Sequence, residues 1–539
     1  MRTKAQLAME TEAVQLVRKT FSIIARECRR GRYFVEGVEY NDFIRNDEKR
    51  YAVIKTIEII GEAAKRLPIP LRQRIPDIPW KDISGMRDVL VHNLDNVDLE
   101  IVWDVARRRL PDLKDKIMRY IPMIEVLVDL PSNWSVKHLS DVANIYMGQS
   151  PPSSSYNENG KGVAFLQGKA EFGEIFPRNT KWTTQPKRIS ASWSILISVR
   201  APVGNVNISD RRYAIGRGLA EVRPKQHTDA WYLFFVLLYE RPRLRSEASG
   251  TIFQSINKKT LQEFLILHPP LPEQRAIAHV LRTVQEASEA TARVIVALRD
   301  FKRALMRHLF TYGPVPVDMA DQVALQDTPI GPIPAHWRVV RLGDVVTLRK
   351  GTIHPSDAPN ARYIGLEHLT PGEIRIKQFG RAGSTRSAKS VFEEGDVLYG
   401  KLRPYLDKAA IAEWPGVCST DILVLQPVKA EPLFLAYLMH TPFVLNHAIA
   451  TTAGVNHPRT SWKALSQAFI PLPPLPEQRA IARILQTVDR KIEAEEARQQ
   501  ALDDLFRSLL HHLMTAKVRL PQGVVQRFEE VNSREQVSI

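Results

Sequence analysis

Cysteine is scarce in this 539-residue chain: Cys28 and Cys418 are the only two, far apart and without any CxxC spacing. Neither a disulfide framework nor a zinc site is encoded, and both thiols are expected as small buried apolar groups. Long hydrophobic runs are missing as well. The longest, "WYLFFVLLY" from Trp231 to Tyr239, is half a membrane span, and "MRTKAQLAMETEAVQ" at the start lacks the apolar core of a signal peptide. The expectation is a soluble, cytoplasmic chain with no membrane partner. A phosphate loop is absent too: "GVAFLQGKA" (162–170) has five residues between its glycines and no Ser or Thr after Lys169. Negative charge is in the minority, with 59 Asp and Glu against 75 Lys and Arg, a net +16 and a pI near 9.7. That balance suits a polyanionic partner, most simply nucleic acid or an acidic membrane surface.

What the chain does have is a repeat. "PPLPEQRAIAHVLRTV" (269–284) returns 204 residues later as "PPLPEQRAIARILQTV" (473–488), with 13 of 16 positions identical. Upstream, "PSNWSVKHLSDVANIYMG" (131–148) matches "PAHWRVVRLGDVVTLRKG" (334–351) at an offset of 203, and Arg200 falls opposite Arg403 at the same offset. Two copies of a unit of about 200 residues therefore occupy the chain from Pro131 onward.

Each copy has two parts. The first is rich in β-branched and aromatic residues in short runs broken by Gly, Pro, Asn and Ser, which predicts mixed, strand-containing globular domains over 131–271 and 334–475. The second opens at Pro272 or Pro476 and carries no further Gly or Pro until Gly313 or Pro521, predicting helices over 272–312 and 476–517. Ile277, Val280, Val284, Ala287, Thr291, Val294, Leu298, Phe301, Leu305 and His308 follow alternating steps of three and four, a heptad seam. Ile481, Ile484, Val488, Leu502, Leu505 and Leu509 repeat it in the second helix, with Glu495 and Arg498 as interruptions. Helices of this length, about 60 Å, bury their stripes most economically on each other, as an antiparallel coiled coil forming a rod with a domain at each end. The alternative is that each packs only on its own domain. The residues from 518 to 539 read as a flexible tail.

The doubled "PLPEQRAIA", the "W-x-V-x-x-L-x-D-V" domain start, "SVRAPVGNVNI" with "AIGRG", and "YGKLRPYLDKAAIAEWPGVCSTDILVLQP" together resemble the DNA-specificity subunits of type I restriction-modification systems, over 131–517. The resemblance implies a multidomain α+β chain with two α/β target-recognition domains, each reading half of a split site on double-stranded DNA. It also implies conserved-region helices that hold two methyltransferase subunits, with restriction subunits joining the assembly. Catalysis is then expected on those partners, which bring S-adenosylmethionine, ATP and Mg; no cofactor is expected on this chain, and it lacks the Asn/Asp-Pro-Pro-aromatic methylation motif.

A DNA interface needs cations for phosphates and side chains that reach base edges. The candidates are Arg200, Arg211, Arg212, Arg217, Lys258 and Lys259 in the first copy, and Arg381, Arg386, Lys401, Arg403 and Arg459 in the second. Positions common to both copies, such as Arg200 and Arg403, are expected to be structural, because domains with different targets should differ where they read. The unrelated stretches after Gly148 and Gly351 fit two unlike half-sites.

Residues 1–125 are dominated by helical periodicity and predict an antiparallel all-α bundle. "IIGEAAKRLP" followed by "IPWKDISGMRDVLVHNLDNVDLEIVW" resembles the HEPN toxins of toxin–antitoxin pairs, whose Arg-x4-6-His motif implies metal-independent RNA cleavage; Arg87 and His92 match it. In such a site His moves a proton and Arg holds the phosphate. The family usually carries a Tyr two residues after the His, where this chain has Leu94. The resemblance offers a nucleotidyltransferase-type antitoxin or a second copy of the domain as N-terminal partner. Two readings stay open: a DNA-recognition subunit with an accessory docking bundle, and an RNA-cleaving toxin fused to a DNA-binding module.

Overall fold

The computed structural model describes residues 4–92, 97–248, 254–454 and 456–535. The chain divides into two compact units, Met1–Glu286 with Leu502–Ile539, and Ala287–Ala501.

The first unit begins with the helical bundle: α1 (Lys4–Val35), α2 (Tyr40–Arg45), α3 (Asp47–Lys65), α4 (Ile69–Arg74), α5 (Trp80–His92), α6 (Leu99–Asp104), α7 (Leu110–Tyr120) and α8 (Ile124–Asp129). Asn46 starts α3 by accepting the Lys49 N–H at 2.9 Å, and Asp98 starts α6 by accepting that of Glu100 at 2.9 Å, so local capping fixes both starts. Gly61 sets the approach of α3 to α5, since a Cβ there would sit inside the Arg87 Cβ. Phe21, Ile24, Ile57, Ile60 and Ile117 fill the centre, beside the buried Cys28. Burial pushes the Cys28 and Cys418 thiols up to about 12, so both are inert apolar groups, as expected.

The bundle is not a separately packed bead. Its core runs on without a break through Leu127, Leu130, Trp134 and Val136 into the first strand-containing domain. Polar groups pin the same junction: Asp77 accepts from the Tyr120 hydroxyl at 2.6 Å and lies 3.7 Å from His138 Nε2, while Arg119 pairs with Glu263 at 2.9 Å.

The two strand-containing domains share one four-stranded sheet order. In the first, Ser135–His138 pairs antiparallel with Leu265–His268. A four-stranded sheet then runs in the order Ala143–Met147, Leu219–Pro224, Ile195–Ser198, Val206–Ile208. In the second unit, Arg338–Arg341 pairs with Phe469–Leu472, and the sheet order is Val346–Leu348, Ile422–Pro427, Val397–Gly400, Ala409–Ile411. A further mixed sheet in each domain contains one parallel pairing, Phe165 with Ala214 and Tyr363 with Val417. The diverged stretches therefore keep this parallel pairing, although the mixed sheet has four strands in the first domain and five in the second. The apolar run Trp231–Tyr239 falls in a buried helix, Ala230–Tyr239, and among the described residues no single helix is long and apolar enough to cross a membrane.

The long helices span Leu271–Tyr312 and Leu475–Met514. In the second unit they run antiparallel, with Arg299 on Glu496 at 2.6 Å and Lys302 on Asp489 at 2.6 Å. The seam needs one correction. Ile277 and Ile481 are buried and Val284, Leu298, Leu305, Val488, Leu502 and Leu509 half-buried along the expected positions, but the alternate positions are shifted by one residue. Leu281, Ile295, Lys302 and Leu309 are buried where Val280, Val294, Phe301 and His308 were expected, and Phe301 is 53% exposed. In the second helix Leu485 and Ile492 are buried, and Phe506 turns inward, whereas Ile484 is only half-buried and Leu505 is 45% exposed. The repeat steps four then three, not three then four. Adjacent apolar pairs such as Val280–Leu281 and Leu505–Phe506 satisfy both spacings, and polar side chains inside the true seam, Lys302 and Glu495, concealed which one holds. Glu495 is thus a buried member of the seam, not a break in it. The expected flexible tail is likewise corrected: Gln522–Glu535 is a helix, and its Phe528 ring packs 5.5 Å from His279.

Candidate nucleic-acid interface

The repeated phrase has a structural purpose that fixes everything around it. Gln274, fully buried, accepts the Asp229 N–H at 2.9 Å and donates to the Pro269 carbonyl at 2.8 Å. Gln478 makes the same two bonds, to the Glu431 N–H at 2.8 Å and the Pro473 carbonyl at 2.9 Å. Asp229 and Glu431 in turn cap the buried helices Ala230–Tyr239 and Pro432–Leu438. The preceding Glu holds the Trp that opens each domain: Trp134 Nε1 donates to Glu273 at 3.1 Å and Trp337 Nε1 to Glu477 at 2.8 Å. Glu273 also takes Arg519 in a bidentate pair, while Glu477 takes His336 at 2.7 Å. Neither glutamine was singled out from the sequence, although the identity of the two phrases was the signal that could have found them.

With the sheets anchored in this way, the loop after the central strand of each domain becomes the place where candidate cations gather. In the first, Val199 donates its N–H to Gly218 and accepts that of Ile256. Arg200 bridges to Ser255, which brings Arg200, Arg217 and the start of the helix carrying Lys258 and Lys259 to one end of the sheet. Arg211 and Arg212 lie at the other end: they follow Ile208, whose partner is Ile195 at the far end of the same strand. Arg211 donates to Asn179 at 2.7 Å and rests 5.4 Å from the Tyr213 ring. The structure thus divides the first set into two groups.

In the second domain Lys401 and Arg403 follow the strand Val397–Gly400, and Leu402 bridges to Arg459 as Arg200 does to Ser255. Arg403 donates its N–H to the Pro458 carbonyl at 2.7 Å. Arg459 is engaged by Asp421 through two contacts, 2.9 and 3.3 Å, and that guanidinium holds the Asp421 carboxyl below its usual range. Arg381 is elsewhere, paired in register with Arg362 and donating to Asn360, and Arg386 lies in the exposed turn before Lys389–Phe392. Arg200 and Arg403 each stand in the loop after the central strand of their domain, but only Arg403 is in the left-handed region.

In the bundle, Arg87 borders an open groove of about 530 Å³ that Arg26, Lys55 and Arg66 also line. Its guanidinium is already held by Asp88 at 2.9 Å and Glu62 at 3.1 Å, which raises its pKa. Positions 87 and 92 lie about 140° apart around α5, and the His92 side chain and Leu94 fall outside the described residues. Among the described residues no cluster of His, Cys, Asp or Glu is fit to hold a metal ion.

Comparison with known proteins now bears on both parts. Residues 131–298 and 334–504 match the family model of the type I restriction modification DNA specificity domain, and residues 24–120 match that of the Ribonuclease HepT-like family. A Methanocaldococcus jannaschii protein named "Putative type I restriction enzyme MjaX specificity subunit" is 42% identical over 186 residues, which are 34% of this chain and 44% of that one. The type I restriction enzyme MjaVIII specificity subunit of the same organism is 22% identical over 405 residues, 72% of this chain and 94% of its own length. The crystal structure of a type I restriction-modification S subunit from M. genitalium aligns over 71% of this chain and 96% of that one, at 17% identity and a TM-score of 0.49. Because both copies are matched, and together they make up more than half of the residues, the chain belongs to the type I restriction-modification DNA specificity family, with a HepT-like domain joined ahead of the specificity region.

Proposed function

We propose that the chain is the DNA-recognition subunit of a type I restriction-modification assembly and reads a bipartite duplex site. The observation that carries this is the pair of recognition domains with one sheet order, each gathering cations at the loop after its central strand, and each differing from the other outside that frame. Two methyltransferase subunits supplying S-adenosylmethionine chemistry, and restriction subunits supplying ATP and Mg, complete the reading. The test is co-expression with type I methyltransferase subunits followed by methylome sequencing. The expected result is a split site with two unlike halves and a fixed spacer, and no methyl transfer by the purified chain alone. Methyl transfer by the chain alone, or a continuous or palindromic site, overturns the reading.

For the HepT-like bundle we infer a docking or regulatory role, with a second copy of the domain or a nucleotidyltransferase-type antitoxin as its partner. Its core is continuous with that of the first recognition domain, and Arg87 is occupied by two carboxylates. Arg26, Lys55, Arg66 and Arg87, which line the groove together with Glu58 and Glu62, favour the second reading, a ribonuclease. Incubating the full chain with RNA separates them. No cleavage is expected; cleavage by the wild type that Arg87→Ala and His92→Ala both abolish would replace docking with catalysis.

A further inference from the structure

The outer half of the second recognition domain, which carries Arg381 and Arg386, has a core of its own. Ile364, Leu369, Phe392, Leu398, Cys418 and Val424 belong to it, and among the described residues it draws no buried side chain from either long helix. The other face of the four-stranded sheet is different: Val397, Tyr399 and Leu425 share a core with Leu309, Phe310, Ile481 and Leu485 of the long helices. Apolar packing thus seats the sheet on the helix pair and leaves the outer half one layer removed.

The segment 370–379, neither helix nor strand, joins the two layers. Its root is fixed to the sheet: the Ile411 N–H donates to the Ile374 carbonyl at 2.8 Å, and the Gly372 N–H to that of Asp407 at 2.9 Å. Beyond Ile374 the ties are ionic. Arg375 donates to Glu413 of its own domain at 2.8 Å and pairs with Glu493 of the second long helix at 2.7 Å. Lys377 pairs with Glu496 at 2.9 Å, and Glu496 also takes Arg299 of the first long helix at 2.6 Å. Burial alone would raise the Glu496 carboxyl, but Lys377 and Arg299 outweigh it and hold it below its usual range. The Arg375 and Lys377 side chains are 46% and 44% exposed and border an open cleft of about 500 Å³, so salt can screen these pairs.

The first domain makes the same approach with other chemistry. Its Ile208 N–H donates to the Ile175 carbonyl at 2.8 Å, as Ile411 does to Ile374, so Phe176 stands where the second domain has Arg375. The Phe176 ring lies 6.0 Å from that of Trp231, over which Arg282 of the first long helix is stacked at 4.2 Å. Half-exposed ion pairs are weak singly and fade with salt, whereas the Phe176–Trp231 contact carries no charge to screen.

We propose that Arg375 and Lys377 are positioning residues: they strap the outer half of the second recognition domain to the helix pair, and the attitude so fixed makes the subunit selective for spacer length. This rests on the DNA-recognition reading above. Hydrogen exchange of the full chain, read by mass spectrometry, tests the strap. Between about 0.05 and about 0.5 M salt, exchange of 370–379 is expected to quicken in wild type while that of 171–178 does not respond. Arg375→Gln with Lys377→Gln should exchange fast at both, and Glu493→Gln with Glu496→Gln should do the same from the helix side. Arg375→Lys with Lys377→Arg keeps both charges and should restore the wild-type response. Protection of the helix Pro432–Leu438 certifies folding in each variant.

The positioning role is read with methyltransferase subunits added, on duplexes bearing the methylome-defined site and on duplexes whose spacer is one base pair longer or shorter. Wild type at low salt should prefer the native spacer. The glutamine pair should lose roughly five-fold of that preference, the worth of two or three half-exposed ion pairs, while both half-sites stay readable. Taking the ratio between spacers cancels the general loss of DNA affinity in salt. A segment 370–379 indifferent to salt, a glutamine pair that keeps its protection or its spacer preference, or a wild type without spacer preference overturns the proposal. Absence of any split-site recognition by the wild type overturns the DNA reading, and the exchange result then still decides the strap.

Discussion

Replacing Gln274 or Gln478 by Met keeps volume and length but deletes an amide that bridges two backbone segments. In the first unit the change leaves the Asp229 N–H and the Pro269 carbonyl without partners; in the second it does the same to the Glu431 N–H and the Pro473 carbonyl. Both side chains are essentially buried, at 0% and 2% exposure, so water cannot substitute. Each orphaned backbone group costs about 1–3 kcal/mol, which places each variant about 2–6 kcal/mol below wild type. Gln274 stands towards the upper end, because its amide also donates to the His227 carbonyl at 3.2 Å. A chain of two units does not unfold in one step, so global melting would blur the effect. Hydrogen exchange read by mass spectrometry resolves it. Gln274→Met should deprotect the helix Ala230–Tyr239, and Gln478→Met the helix Pro432–Leu438, each without disturbing the other. A cost under about 1 kcal/mol, or equal deprotection in both units, would refute the claim that the repeated phrase is a clamp.

Other consequences follow from particular contacts. Phe301→Ser should change urea stability by less than about 0.5 kcal/mol, whereas Lys302→Ala, which strands the Asp489 carboxylate beside Tyr437, should cost about 3 kcal/mol. The opposite ranking would restore the three-then-four seam. Gly61→Ala should destabilise the bundle by about 1–3 kcal/mol through overpacking on Arg87, visible as faster exchange in α3 and α5. The junction at Asp77 and His138 should depend on pH. Asp77 raises the His138 pKa, so its contribution is complete below the ordinary value of 6.5 and fades as pH rises through the raised one. Burial alone would lift Asp77, but bonds from His138 and Tyr120 outweigh it and hold the carboxyl below 3.8, so that contribution is lost only in stronger acid. Protection of residues 135–140, taken relative to intrinsic base-catalysed exchange at each pH, should therefore fall from pH 6 to pH 8 in wild type, and His138→Ala should remove that fall.

The repeat, the domain order and both long helices were legible because each rests on a pattern that local chemistry enforces: identical phrases, turn residues between short apolar runs, and 40-odd positions without Gly or Pro. The register of the seam was not. At Val280–Leu281, Val294–Ile295, Ile484–Leu485 and Leu505–Phe506 either neighbour is apolar, and only the facing surface chooses. At Phe301–Lys302 the sequence points the wrong way, because Lys302 is made tolerable inside by Asp489 and the Tyr437 ring, residues almost 140 positions away or more. The helix Gln522–Glu535 was missed for a related reason: its apolar positions are sparse, and Phe528 finds its partner in His279. Of the candidate cations, the sequence could nominate residue types but not the strand ends on which they fall, so Arg211 and Arg212 were grouped with Arg200 although register separates them.

The boundary of the repeat and the boundary of the packed units do not coincide, and helix length explains why. A helix of 42 residues is about 60 Å long, so its far half cannot bury an apolar stripe on the domain at its own start. Residues of the first long helix after Glu286 accordingly belong to the second unit, and those of the second helix after Ala501 belong to the first. Each unit then closes the same way at the repeated phrase, with the end of the other copy's helix. Gly313, at φ +83°, turns the chain where a Cβ would lie 3.4 Å from Trp337 and 3.5 Å from Glu477. Past Ala516 at φ 55°, Arg519 reaches Glu273 beside Trp134. The first Trp–Glu pair is thus completed by sequence from the neighbouring repeat, whereas the second is completed by His336 of its own repeat, with Gly313 beside it. Neither repeat contains all of its own packed unit, and this dependence is a physical reason for two copies to persist in one chain.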